Sequence, residues 1–315
     1  MHSNLQKNID PTEHCPVLLS EAMTGLRVRP GGLYLDATFG RGGHSKEICL
    51  KRPGQLLALD RDPEAAKFVR EHFAQEDFFE FEQVAFSSLS EQVAKRGWSG
   101  RVDGILLDLG ISSPQVEDSA RGFSFSRSGP LDMRMDPTSG ESASEWLARA
   151  PEQEIVEVLY EFGEERYAKR IARAIVTERS KEPLLTTGTL SALVAKANPR
   201  WERERHPATR TFQAIRIFIN QELAELETVL PQAVEALAPG GRLVVISFHS
   251  LEDRIVKRFM RHEAKGEPTT KYLPMVPFFP RLQEVGKKQK PSAEEIEKNP
   301  RARSAILRVA EKLER

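Results

Sequence analysis

Four short apolar runs punctuate the first third of the chain: 33-LYLDA-37, 55-QLLALD-60, 79-FEFEQVA-85 and 102-VDGILLD-108. Three of them deliver an aspartate at or beside the carboxyl end, Asp36, Asp60 and Asp108. Runs this brief and this apolar are the pattern of strands buried on both faces, which must be parallel and covered by helices. Segments of helical period lie between them: 44-HSKEICLK-51, 63-PEAAKFVREHF-73 with proline at its opening, and 88-SLSEQVAKRG-97 with a glycine stop. Strands alternating with helices at this spacing predict an α/β fold built on a doubly wound sheet, with ligands taken at the carboxyl ends of the strands.

The alternation then stops. The next convincing strand, 241-GRLVVISFHS-250, comes more than a hundred residues later, far beyond one crossover. The stretch 115–137 is rich in Gly, Ser, Pro and Arg without period and predicts an ordered functional loop or an induced-fit segment. Beyond it, 144–150, 152–163, 165–180 and 187–197 are helical in period, the first two opened by Ser144 and Pro151. These predict a helical domain at 140–205 inserted into a discontinuous domain of 1–139 and 206–315. One long helix over 211–237 is expected to lead back to the sheet, and 304-SAILRVAEK-312 to return as an edge strand.

With 46 basic and 46 acidic residues, any nucleic-acid surface must come from local clustering of cations. Only Cys15 and Cys49 occur, too few for a disulfide framework or a cysteine zinc site, and the expectation is a cytoplasmic protein. No apolar run approaches the roughly 18 residues that span a bilayer, and no basic, then apolar leader opens the chain.

Asp36 is followed by 39-FGRGGHS-45, a glycine turn feeding a helix, which brings main-chain N–H groups close to a ligand. Its spacing is not that of a dinucleotide turn, and a tight connection holding nothing is an equal alternative. Asp60 stands 24 residues after Asp36, near the spacing at which a carboxylate takes ribose hydroxyls. Nicotinamide and S-adenosylmethionine enzymes both satisfy that pattern. Asp62 reads as a helix cap. After the fourth strand, Asp108 with Ser112, Ser113 and Pro114 of the following turn forms an acceptor-substrate wall. Methylation of an exocyclic amine needs acceptors that engage the amino hydrogens rather than a strong base; capping of the turn is the alternative for Asp108.

Several long stretches, among them DATFGRGGHS, LDRDP, DGILLDLGISSPQ, GPLDMRMD, HPATRTFQAIRIFIN and LAPGGRLVVISFHSLEDRIVKRF, resemble one family, the ribosomal RNA small-subunit methyltransferase H family (RsmH, also called MraW). The resemblance runs from about His14 to the C-terminus; only about 263–282 goes unmatched. It implies a class I S-adenosylmethionine-dependent methyltransferase with an inserted helical domain, transferring a methyl group to N4 of a cytidine in the decoding region of small-subunit ribosomal RNA. It further implies cofactor contacts from Gly42, Gly43, His44, Asp60, Phe86, Asp108 and Gln115. Phe86 serves equally as core, His44 as a helix-start residue and Gln115 as a bond within its own loop.

Three cationic rows suit phosphates: Arg166, Lys169, Arg170 and Arg173; Arg254, Lys257, Arg258 and Arg261; and Arg203, Arg205, Arg210 and Arg216. Phe123 and Phe125 beside Arg127 and Arg134 suit an unstacked base. In 249-HSLED-253, Ser250 ahead of Asp253 predicts a helix cap, with Ser247 and His249 as site-wall candidates. No metal is expected. The alternatives are a DNA amino-methyltransferase, a nicotinamide oxidoreductase, or an assembly factor that binds RNA without turnover; whether the partner is free RNA or the small subunit, and whether the chain forms a homodimer, stays open.

Overall fold

A computed structural model of the chain describes residues 16–73, 76–200, 206–266 and 278–314. Cys15, the N-terminal segment with His14, Arg203, Arg205 and the middle of 263–282 lie outside the described residues. The chain divides into two units, residues 1–110 with 223–315, and residues 111–222. The helical unit thus begins earlier and ends later than the 140–205 expected from periodicity. The reason is physical: the irregular stretch before residue 140 contributes Phe123, Leu131 and Met133 to the helical unit's own core.

In the first unit the described strands are β1 (Leu33–Asp36), β2 (Gln55–Asp60), β3 (Phe79–Gln83), β4 (Val102–Asp108), β5 (Leu237–Ser247), β6 (Leu282–Glu284) and β7 (Ile306–Lys312). They pair in the order β3-β2-β1-β4-β5-β7-β6, with β1 to β5 parallel and β7 antiparallel to both neighbours. This is the doubly wound α/β arrangement that the sequence predicts, with a mixed sheet. Period-2 alternation separates its two faces. Leu57, Leu59, Ile105, Leu107, Leu243 and Val245 point into one core, with side chains of α4 (Leu89–Lys95), α11 (Glu222–Ala236) and α12 (Ser250–Lys265). Leu56, Ala58, Leu106, Val244 and Ile246 point into the other, with α1 (Leu19–Leu26), α2 (Gly43–Leu50) and α3 (Pro63–His72). Asp62 caps α3, accepting from Glu64 N–H at 3.0 Å. No described helix is long and apolar enough to cross a membrane.

The second unit carries α5 (Ser113–Glu117), α6 (Ala143–Arg149), α7 (Glu152–Gly163), α8 (Ala168–Arg179), α9 (Thr187–Ala197) and α10 (Thr209–Asn220). Helix α7 packs on α8 and α10, and α8 on α9. Trp146 is fully buried and donates its indole N–H to Glu154 at 2.7 Å, so its one polar atom is satisfied. The stretch 115–137 is tied to α10 near its end: Asn220 donates to the Met133 carbonyl and accepts from Met135 N–H, both at 2.7 Å. Arg121 donates to the carbonyls of Arg134 and Met135 at 3.2 and 2.7 Å.

Three local expectations are corrected. The helix expected over 211–237 is two helices, α10 and α11, because Gln221 adopts φ 52° and turns its N–H back onto the Ile217 and Phe218 carbonyls. No glycine or proline marks that break. β7 is a strand but not the edge, since the three-residue β6 covers it. Helix α6 is capped by Ser142, in a reciprocal pair with Glu145, rather than by Ser144.

Candidate active site

Strand β1 lies between β2 and β4, so the strand order reverses there and the carboxyl ends of β1 and β4 open a crevice. Asp36 and Asp108 end those two strands. The turn after β1 ties them together. Thr38 donates its N–H to Asp36 Oδ1 at 3.1 Å, while its hydroxyl oxygen accepts from Asp108 N–H at 2.6 Å. Ser45, in the first turn of α2, donates to Asp36 Oδ2 at 2.7 Å.

Gly40 and Gly42 both take left-handed φ, 56° and 69°, and a side chain on Gly42 would strike the Phe39 and Phe73 rings. A side chain on Gly43 would meet Pro16. Gly42 caps α2 without offering it a side-chain acceptor. Asp60, at the end of β2, accepts from Gly40 N–H at 2.7 Å and from Asp62 N–H at 2.9 Å. One carboxylate therefore sets the shape of the glycine turn and the start of α3. Each oxygen keeps a second lone pair for a ligand hydroxyl.

Burial pushes the Asp36 carboxyl up to about 6, against the bonds from Ser45 and Thr38 that favour its charged form. Burial also raises Asp60, opposed by the N–H groups of Asp62 and Gly40. Asp108 lies well above the usual carboxylate range, through burial first and then the charges of Asp36 and Glu252. Its Oδ1 is buried with no hydrogen-bond partner among the described residues. His44 is buried, and that burial lowers its ring to about 4, so it is neutral at physiological pH. Its Nδ1 stands 3.5 Å from Asp108 Oδ2. A crevice with this many poorly solvated carboxyl groups favours a cation and disfavours a pyrophosphate.

The remaining candidates fall in several environments. Phe86 is half-buried against the first core, with the Arg61 guanidinium 6.0 Å from its ring centre. Helix α12 is capped by His249, not Ser250: Glu252 accepts from the N–H groups of Phe248 and His249 at 2.8 and 3.2 Å. Asp253, expected in that cap, instead pairs with Arg308 at 2.7 Å. Ser247 ends β5 and is buried. In the helical unit Ser112 caps α5 at Pro114 and Gln115, accepting from Gln115 N–H, while Gln115 Oε1 accepts from Ser112 N–H at 2.8 Å. Ser113 opens that helix.

Among the cations, Lys169, Arg170 and Arg173 are exposed on α8, and Arg166 is exposed in the turn before it. Arg254, Lys257, Arg258 and Arg261 form an exposed row on α12. Arg127 is exposed, and Arg210 donates to the Glu164 carbonyl at 3.3 Å. Arg134 and Arg216 differ: Asp132 holds the first by paired bonds of 2.9 and 2.7 Å, and Glu222 the second by two of 2.7 Å. Phe123 is buried in the helical core, and Phe125 stacks on His206 with ring centres 4.8 Å apart. Those four side chains build the helical unit.

Sequence reasoning passed over Thr38, Ser45 and Glu252. Thr38 and Ser45 act on partners from another element, and no local pattern marks such a bond, whereas Glu252 closes the cap of its own helix, three and four residues from its partners, a local spacing that could have been read.

The model of the MraW methylase family matches residues 11–313. A ribosomal RNA small subunit methyltransferase H of Nitrosococcus oceani is 56% identical over 311 residues, covering 97% of this chain and 98% of the relative. That of Thioalkalivibrio sulfidiphilus is 55% identical, covering 95% and 97%. Among solved structures, SMU.1697c of Streptococcus mutans in complex with SAH is 11% identical, covers 96% of this chain and 100% of its own, and has a TM-score of 0.46.

Proposed function

The chain belongs to the MraW methylase family, and from that premise we propose that it moves a methyl group from S-adenosylmethionine to N4 of a cytidine in the decoding region of small-subunit (16S) ribosomal RNA. One observation carries the cofactor assignment: the strand-order reversal is lined by carboxyl groups, and Asp108 Oδ1 there is buried without a partner among the described residues. A positively charged group relieves that arrangement, whereas a dinucleotide's pyrophosphate would worsen it.

Bound S-adenosylmethionine supplies an electrophilic methyl group on a positively charged sulfur. Asp60 is placed to take ribose hydroxyls with the lone pairs left by Gly40 and Asp62. Gly42 and Gly43, with the backbone of His44, let the ligand approach the start of α2, and Phe86 offers a ring face to the adenine. Gln115 and the turn Ser112, Ser113 and Pro114 are assigned to cofactor and acceptor contacts.

Asp108 is the catalytic residue in this scheme. Its free oxygen accepts a hydrogen bond from the cytosine amino group, which turns the nitrogen lone pair out of the ring, and it receives the proton the amine sheds. Positioning in the crevice supplies most of the acceleration. The base must leave its stack to reach the crevice. The exposed rows on α8 and α12, with Arg127 and Arg210, serve the RNA phosphates. A ribosomal substrate places this work in the cytoplasm.

Labelled methyl transfer to small subunits, naked ribosomal RNA and DNA tests the proposal, with mass spectrometry locating the methylated atom. Transfer to DNA alone, or calorimetric binding of NAD in place of S-adenosylmethionine, would overturn it.

A further inference from the structure

We propose that His44 is a positioning residue for methyl transfer: from the first turn of α2 its ring holds Oδ2 of Asp108, leaving Oδ1 to the acceptor amine. The inference rests on the assignment of Asp108 above and adds a second side chain to its work.

Consecutive residues of one helical turn each face a different strand-end carboxyl group. Ser45 donates to Asp36 Oδ2 at 2.7 Å, and His44 Nδ1 lies 3.5 Å from Asp108 Oδ2. Thr38 Oγ1 anchors the Asp108 backbone N–H. Asp108 is thereby held at its main chain and faced at one oxygen, while the other oxygen has no partner among the described residues. An imidazole is a poor choice for filling an apolar gap, because burying its nitrogens without partners costs free energy. Yet His44 is only 5% exposed, and its Nε2 has no hydrogen-bond partner among the described residues. Two polar groups meet the ring: the Val17 backbone, whose bond opposes the lowering of the His44 pKa, and the Asp108 carboxyl group 3.5 Å from Nδ1.

The charges around Asp108 point the same way. Asp36 from β1 and Glu252 at the start of α12 both oppose its ionisation, and burial opposes it further. The ring from α2 faces it from the third side, neutral, and able to stabilise either protonation state by a hydrogen bond without adding charge. In the reaction the N4–methyl bond forms as the carbon–sulfur bond breaks with its electron pair left on sulfur. The methylated amine then passes one proton to Asp108 Oδ1. A carboxylate that swung freely between two oxygens would meet the amine less often in line.

The test compares wild type with His44→Leu and His44→Asn, measuring methylation of small subunits against pH and cofactor binding by calorimetry. Asn places an amide near the position of Nδ1 and can present either its donor or its acceptor; Leu can present neither. In His44→Leu, kcat is expected to fall about 10–100-fold, as for loss of a hydrogen bond to a charged group. Its acid limb should move to higher pH, because an unaided buried carboxylate holds its proton more tightly. His44→Asn should restore both to within about fivefold of wild type.

A loss confined to cofactor Kd, or equal behaviour of Leu and Asn with no shift of the acid limb, overturns the inference. Nitrogen-15 resonances of the His44 ring provide a measurement that does not depend on the Leu variant folding: they should move in Asp108→Asn, and identical shifts would also overturn it. Failure of the wild-type enzyme to methylate small subunits would instead overturn the assignment of function, so the two failures are distinguishable.

Discussion

Asp36 Oδ2 accepts the Ser45 hydroxyl at 2.7 Å, joining the last residue of β1 to the first turn of the helix that follows. The bond closes the glycine turn from behind, and it holds a fully buried acid in place within the sheet.

That acid makes stability depend on pH in a definite direction. Its folded pKa, about 6, stands above its ordinary value of 3.8, so the folded chain keeps the proton longer than the unfolded chain. The contribution is complete below about pH 4 and is lost as pH rises toward and through about 6, on the order of 2–3 kcal/mol in all. Asp36→Asn should remove that slope. Urea unfolding at pH 4, 5, 6 and 7, compared between variant and wild type, reads the difference; parallel curves would contradict it.

Asp60 organises two N–H groups and is assigned to the ribose. Asp60→Ala should weaken S-adenosylmethionine binding about 10–100-fold, the worth of charge-assisted hydrogen bonds of about 1.5–3 kcal/mol. Calorimetry checks it. An unchanged Kd would remove Asp60 from the cofactor site.

Asp108→Ala should abolish methyl transfer, since the amine then loses its acceptor at Oδ1. A radiolabel assay on small subunits at saturating cofactor decides it, and wild-type turnover would end its catalytic role.

The exposed row Arg254, Lys257, Arg258 and Arg261 should act on RNA through phosphates. Replacing all four with alanine is expected to weaken RNA binding for all sequences alike and to lower the salt slope by about 3. Filter binding across a salt series measures it. Arg216 provides the contrast. It is locked to Glu222, and Arg216→Ala should lower the melting temperature of the helical unit through an unpaired buried carboxylate costing about 3 kcal/mol or more.

Asn220 clamps the segment before α6 with two buried bonds. Asn220→Ala should cost about 1–3 kcal/mol locally, the price of leaving buried backbone groups unpaired. Limited trypsin digestion should then cut at Arg127 faster than in wild type, and equal rates would show that other contacts hold the segment.

The amino-acid sequence by itself determined the strands that end in Asp36, Asp60 and Asp108, the helices between them, and the interruption after β4, because period-2 and 3.6-residue patterns are local properties of apolar and polar side chains. Tertiary structure alone decided which polar groups meet. Thr38 reaches the Asp108 backbone across 70 positions, and the three-residue β6 pairs with a strand more than twenty residues later. It also decided that Arg134 and Arg216 are spent on Asp132 and Glu222 while the cations of α12 remain exposed. Partnership of a charged group depends on what the folded chain brings within about 3 Å of it, and one-dimensional spacing carries no record of that distance.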